Sequence, residues 1–442
     1  MKKILLLGGS HAQIPAIKAA KAKGLHVIVC DYLPDNPGRS HADEFHNIST
    51  TDKDAVLTLA REREIDYIMA YASDPATPTA AYVAETLGLP GNSFDSIRKL
   101  SDKDCFRKLM HECGLRTPRF ACLSAQQELP ETWPQERVDG AEAAPATNAR
   151  TEGGAQRFPL IVKPVDSSGS KGITKIAHAG EYPEAAALAL TYSRSKRVIV
   201  EEFIDADRGD LHGDGFVVEG ELAFSLLGDH IYHSAANPFN PTGTSWPSTH
   251  PDAVIREINR QVQQIITASG YKNGPINIEA RINGAGEVCI MEVGPRNGGH
   301  FVPQAIGYAG GFNLVDAALD VMNGRQVTPP GTAPSPASTA SLAESASAAP
   351  ALVTRPVAYC ALHSDTEGTL ARLSVNEPLA SFVKEFHLYK QPGDAVRPFM
   401  GANDALGVLL MQFETMDQMR HYTDCIDAFI TIEIADPATC HE

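Results

Sequence analysis

The sequence predicts an α/β protein of several domains, with a helix-covered parallel sheet at its N-terminus and a small α+β unit at its C-terminus. Three observations carry this. Strand and helix patterns alternate through residues 1–100, the pattern of βαβ units in a parallel sheet. The chain has 442 residues, more than one hydrophobic core organises, so two to four domains are expected. A tract of Pro, Ala, Ser and Thr, Thr328–Pro350, sets residues 352–442 apart.

The elements follow in order. Ile4–Leu7 is an apolar strand, and Ala12–Lys23 a helix ended by Gly24. Val27–Cys30 and Tyr67–Ala70 are the next strands; Ala80–Leu87 is helical and closed by Gly88. Ser101-Asp102-Lys103-Asp104 reads as a capping box with Ser101 at the cap. Phe106, Leu109, Met110 and Cys113 continue that helix at helical spacing, and Gly114 stops it. Gln126–Arg157 and Thr328–Pro350 hold few large apolar groups, too few to offset their ordering entropy. They are expected to be a mobile surface excursion and an interdomain linker. Between them, Phe158–Lys163 and Val198–Glu202 are strands, and Pro251–Ser269 is an amphipathic helix with Val254, Ile258, Val262, Ile265 and Ile266 on one face. The tail holds strands near Val357–Leu362 and Gly407–Phe413.

Composition narrows the function classes. A formal net charge of -16 disfavours nucleic acid and anionic membranes as partners. No apolar run is long enough to cross a membrane. The start, Met1-Lys2-Lys3-Ile4-Leu5-Leu6-Leu7, reads as a buried first strand rather than a signal peptide, because polar Ser10-His11 follows so soon. Eight cysteines without a C-x-x-C pair or metal-type spacing read as reduced, mostly core thiols of a cytoplasmic protein.

Several segments carry chemistry. Lys163 ends an apolar strand, and Asp166-Ser167-Ser168-Gly169-Ser170-Lys171-Gly172 follows. Small residues let backbone N–H groups approach a polyphosphate, and Lys171 adds charge; the same segment also reads as a flexible hairpin. Lys103 in a first helical turn opposes the macrodipole unless an anion binds there. Val198–Glu202 runs into two acids, Glu201 and Glu202, where a strand end offers a base both N–H and C=O groups; a solvated strand end is the plainer reading. Ile276–Ile282 and Glu287–Val293 flank the loop Asn283-Gly284-Ala285-Gly286. If Asn283 faces Val288, Arg281 faces Ile290 and Glu279 faces Glu292. Carboxylates that close repel unless a cation sits between them, and oxygen ligands suit Mg²⁺. Gly294-Pro295-Arg296-Asn297-Gly298-Gly299-His300 follows; Arg296 suits a carboxylate or phosphate, and His300 suits orienting substrate or moving a proton.

Together Ser101–Lys103, Ile161–Gly172, Glu201–Ile204, Ile276–Arg281 and Met291–Arg296 resemble the ATP-grasp superfamily in order and spacing. The closest likeness is to the group of L-amino acid ligases, biotin carboxylase and carbamoyl phosphate synthetase. Tyr71-Ala72-Ser73-Asp74 and Leu87-Gly88-Leu89-Pro90-Gly91 look like the Rossmann-like domain that precedes this fold. The resemblance implies a Rossmann-like domain at 1–100 and an ATP-grasp domain of two α+β subdomains at 101–327. Its lid subdomain would span about 118–203 with the insertion 126–157. A linker at 328–351 and a C-terminal α+β domain at 352–442 complete the chain.

The resemblance also implies roles. Lys103 and Lys163 would hold ATP phosphates, with Ser167, Ser168, Gly169, Ser170, Lys171 and Gly172 closing over them. Glu201 would take the adenine amine, and Glu202 and Ile204 would contact adenine through the backbone. Asp210 would face the ribose, Glu279 and Glu292 would bind Mg²⁺ (Mn²⁺ as the alternative ion), and Arg296 would hold the substrate. One departure is Gly294, where the family pattern carries Asn; Asn297 or Asn277 would stand in. Arg208–Gly215 is longer than usual, with His212 in an unexpected place. The expected enzyme is a carboxylate–amine ligase acting on small molecules through an acyl phosphate and assembling as a homodimer. Its rivals are a bicarbonate-dependent carboxylase, a noncatalytic ATP-binding regulator, and an NAD-dependent oxidoreductase using Gly8-Gly9-Ser10-His11 and Asp31.

Overall fold

The computed structural model describes residues 1–125, 127–130, 158–167, 169–330 and 354–435. Most of the excursion at 126–157 and most of the linker at 328–351 therefore lie outside the described residues.

The N-terminal strands Glu44–His46, His26–Cys30, Lys3–Leu7 and Tyr67–Met69 form a parallel sheet in that order. Helices Ile14–Ala22, Lys53–Arg63 and Thr77–Leu87 cover it. The run Ile4–Leu7 is at most 2% exposed, as expected for a strand buried on both faces.

The capping box does not form. Ser101 is the last residue of a preceding helix, Phe94–Ser101, and its hydroxyl pairs with Thr77 Oγ1 at 3.2 Å. Asp102 is the cap of the next helix, Lys103–Glu112, and makes no side-chain cap bond. With two helices end to end, the serine is already spent on helix packing.

Two antiparallel sheets begin within residues 120–294. The smaller runs Phe120–Ser124, Arg197–Glu202, Leu160–Pro164, Thr174–Ile176. Helix Tyr182–Tyr192 packs on it through Ala185, Ala186 and Ala189. The larger has eight strands. Val288–Gly294, Gly274–Ile282, Gly209–Val218, Glu221–Ile231 and Gly243–Trp246 come first, and Val357–Leu362, Gly407–Gln412 and Val383–Leu388 continue it. On one face, helix Asp252–Ser269 buries Ile258, Val262, Ile265 and Ile266 completely, worth about 1.5–3 kcal/mol each. Three C-terminal strands thus extend the large sheet, while Gly368–Val375, Ala395–Val396 and Ile430–Ala435 form a small antiparallel sheet of their own. Val357–Leu362 pairs antiparallel with Gly243–Trp246, because that strand would otherwise leave an open edge.

The seven described cysteines are free, but only Cys30, Cys289 and Cys360 are buried. The expectation that most are core thiols is corrected accordingly.

Candidate functional site

One face of the large sheet is polar by alternation. Asp210, His212 and Asp214 point the same way on one strand, and their partners Arg281, Glu279 and Asn277 lie beside them on the next. Glu279 stands opposite Glu292. The loop-based register is wrong nearer the turn. Ile282 faces Val288, Arg281 faces Cys289 and Ala280 faces Ile290, and a one-residue shift between Glu279 and Ala280 restores the acid pair. A bulge of this kind re-aims a side chain without ending the ladder.

The acid pair is only partly compensated: Arg296 Nη2 lies 3.9 Å from Glu292 Oε1, at the edge of ion-pair reach. Burial first, then the charges of Glu279 and Asp74, push the Glu292 carboxyl up to about 7. Burial and the charge of Asp210 raise that of Glu279 as well. Such a pair fits a cation. Among the described residues no three His, Cys, Asp or Glu side chains are spaced to hold a metal on their own. That suits Mg²⁺, which takes one or two carboxylates and completes its shell with water and phosphate oxygens.

Lys163 does not stand free. Its Nζ lies 2.7 Å from Glu201 Oε2, while Arg107 Nε donates to Glu201 Oε1 at 2.6 Å. Glu201 is 0% exposed. Burial alone would raise its carboxyl, but the two cations hold it down at about 2. Glu201 therefore does not present its side chain to an adenine amine, as the sequence led us to expect; both oxygens are already committed. Arg107 also donates to the Met291 carbonyl at 2.9 Å, tying the small sheet to the strand of Glu292. Lys103 donates to the Ser167 carbonyl at 2.6 Å, and its charge acts on both Glu292 and Asp74. The two lysines and two glutamates thus share one neighbourhood.

The loop after Lys163 is shaped for close approach. Gly169, Ser170 and Gly172 have φ of 67°, 55° and 70°, the left-handed region that favours glycine. Ser170 Oγ donates to the Phe239 carbonyl at 3.4 Å, and a Cβ on Gly401 would lie 3.3 Å from the Gly169 carbonyl oxygen. Lys171 lies between Ser170 and Gly172 in that loop; Ser168 lies outside the described residues. Beyond the small sheet, Glu202 accepts from Arg119 Nε at 3.4 Å. The Ile204 carbonyl accepts from Arg281 at 3.1 Å. Its N–H has no partner among the described residues.

Three expected site residues have neighbours of their own. Asp210 accepts from Tyr232 Oη at 2.7 Å and pairs with Arg281 at 3.3 Å, so it balances its cross-strand arginine. Arg296 grips Asp74 through Nε and Nη2 at 2.6 and 2.7 Å, which occupies the fork expected to clamp substrate. His300 stacks on Tyr359 at 5.8 Å. Burial pushes its imidazole down to about 4, which leaves a weak base at neutral pH. Its Nδ1 is buried without a partner among the described residues.

Sequence reasoning gave no role to Arg107, Asp74, Asp214 or His212. Asp214 is 0% exposed and accepts twice from the Gly298 N–H, at 3.0 and 2.9 Å, and from Asn277 Nδ2 at 2.8 Å. Asn277 Nδ2 also donates to His212 Nε2 at 2.9 Å. Asn277, considered as a stand-in, thus commits its amide nitrogen to this network. Asn297 is 1% exposed. Period-two polarity in a central strand, His212 with Asp214, was the available signal. Arg107, set between the apolar Phe106 and Leu109, was another. The oxidoreductase reading also fails: the Gly9 N–H donates to Asp31 Oδ2 at 2.8 Å, and Asn36 fills the space beside Gly9.

Comparison with known proteins agrees with this geometry. Residues 156–304 match the model of the ATP-grasp domain, and residues 17–91 that of the ATP-grasp N-terminal domain. The class is thus an ATP-dependent, ADP-forming ligase. Formate-dependent phosphoribosylglycinamide formyltransferase from Synechococcus sp. (strain WH7803) is 31% identical over 311 residues, 66% of this chain and 70% of that one. Its counterpart from Synechococcus sp. (strain CC9311) is 32% identical over 222 residues, 47% and 49% of the two chains, so there the match spans about half the relative. The crystal structure of L-amino acid ligase from Bacillus licheniformis superposes with a TM-score of 0.71 at 17% identity, covering 99% of both chains. The chain belongs to the ATP-grasp family, whose enzymes use ATP with Mg²⁺. No helix among the described residues is long and apolar enough to cross a membrane.

Proposed function

We propose that this chain joins a small carboxylic acid to an amine, forming an amide through an acyl phosphate and releasing ADP and phosphate. One observation carries the reading: Glu279 faces Glu292 within reach of the charge on Lys103, beside the Arg107–Glu201–Lys163 cluster. A carboxylate is a poor electrophile until phosphoryl transfer makes it a mixed anhydride. During that transfer charge builds on phosphoryl oxygens, where Lys103 and Lys163 stabilise it. Mg²⁺ held by Glu279 and Glu292 supplies further charge compensation when bound. Ser167–Gly172 closes over the phosphates and keeps water from the anhydride. The backbone of Glu202 and Ile204 meets adenine. Arg296, fixed by Asp74, turns its remaining N–H groups to the acyl group, and His300 orients the acid through its unpartnered ring nitrogen.

An acid as acyl donor is supported by the names of the relatives, a formate-dependent formyltransferase and an L-amino acid ligase. We also propose Mn²⁺ as a working substitute for Mg²⁺, the cytoplasm as the compartment, in keeping with seven free cysteines among the described residues, and a closed homodimer as the assembly.

The test is phosphate release from ATP by purified protein across pairs of carboxylic acids and amines. Release that needs both members of a pair is the expected result. No release with any pair would overturn the proposal. Release driven by bicarbonate without amine would replace it with a carboxylase.

A further inference from the structure

Gly294 lies two residues past Glu292 on one strand, so both positions share a face. Its cross-strand partner, Asn277, lies two residues before Glu279. The hairpin thus presents a square of four positions, with Glu279 opposite Glu292 and Asn277 opposite Gly294. The backbone does not require glycine here, because Gly294 is absent from the positive-φ residues. What the missing side chain leaves is room. A Cβ at 294 would lie 3.1 Å from Asp74 Oδ1 and 3.5 Å from Arg296 Cζ. Asp74 arrives from the N-terminal domain, 222 residues before Arg296, and is fixed by two parallel bonds from that arginine.

We propose that Asp74, seated over Gly294, accepts from a water of the hydrated cation held by Glu279 and Glu292, as a supporting oxygen outside the two carboxylates. The inference rests on reading those glutamates as the cation site. Two opposed carboxylates leave most of an octahedral shell to water and phosphate. Asp74 accepts one N–H on each oxygen and keeps a lone pair on each. The Asp74–Arg296 pair is also net neutral. It offers an oxygen acceptor beside N–H donors, the complement a carboxamide side chain at 294 would offer. It therefore adds an oxygen without adding net negative charge to a place where two acids already repel. Cation binding then depends on docking of the N-terminal domain.

The test is Mn²⁺ binding to the full chain with a non-hydrolysable ATP analogue, read by electron paramagnetic resonance. Asp74→Ala should weaken the complex by about tenfold, the scale of losing a supporting group around a metal. Gly294→Asn alone should also weaken it, because the new side chain and Asp74 claim one space. The double variant should bind within about threefold of the natural protein, a non-additive rescue that a purely structural role would not give. Thermal melting checks folding. Asp74→Leu, which keeps the volume without the oxygens, replaces the alanine variant if that one does not fold. Unchanged affinity in the Asp74 variants, or a double variant as weak as its two losses combined, would overturn the assignment. Failure of the natural protein to bind Mn²⁺ with the analogue would instead overturn the cation site itself.

Discussion

Lys163 Nζ lies 2.7 Å from Glu201 Oε2 at a place where Lys163 is 8% exposed and Glu201 not at all. Arg107 takes the other oxygen. An ion cluster this deep makes little net contribution against an apolar replacement, yet losing one member strands the others.

Glu201→Ala should therefore cost about 3–5 kcal/mol of stability, measured by urea unfolding. The pH dependence has a definite sign. The Glu201 carboxyl, ordinarily at 4.5, is held at about 2. Its ionised form favours the folded chain above the ordinary carboxylate range, and that contribution drains away as pH falls from 4.5 toward 2. Glu201→Gln should lose less stability than the natural protein across that window. Equal losses in both would show that the cluster is not held by charge.

Function and stability should separate at the acid pair. Glu292→Gln or Glu279→Gln should lower phosphate release by at least about a hundredfold, the scale of several kcal/mol of lost charge stabilisation. The same change relieves a like-charge pair, so without nucleotide the variant should melt higher, by about 0.2–1 kcal/mol of stability. Loss of both activity and stability would place the carboxylates in a structural role. Chelating the divalent ion should abolish turnover in the natural protein, and added Mg²⁺ should restore it.

The glycine loop gives a third separation. Gly172 has φ of 70°, and a Cβ there would meet the Tyr192 ring at 2.7 Å. Gly172→Ala should strain the loop by about 1–2 kcal/mol and raise KM for ATP several-fold. The melting temperature should move by no more than about 3 °C, since the loop lies outside the hydrophobic core. Steady-state kinetics with varied ATP, set beside a melting curve, decides it.

How much of this was legible depends on how local the signal was. Ile4–Leu7 and the helix bearing Ile258, Val262, Ile265 and Ile266 declare themselves by apolar spacing, and both are where the sequence puts them. The opposition of Glu279 and Glu292 was legible too, although through a register that holds only beyond the bulge. Partners supplied by distant segments were not. Nothing in the neighbourhood of Arg296 announces Asp74, and nothing beside Glu201 announces Arg107, because each pair is made by tertiary packing. Ser101 failed for a related reason: a capping pattern is blind to a helix that ends on the same residue.

The strand Val357–Leu362 is stitched between Gly243–Trp246 and Gly407–Gln412, which places late residues in the middle of the floor that carries the acid pair. A chain cut after Pro330 would be stripped of three of the eight strands and would lay bare the fully buried Trp246 along an open β edge. Such a fragment would be a template for sticking to its own kind rather than a smaller enzyme.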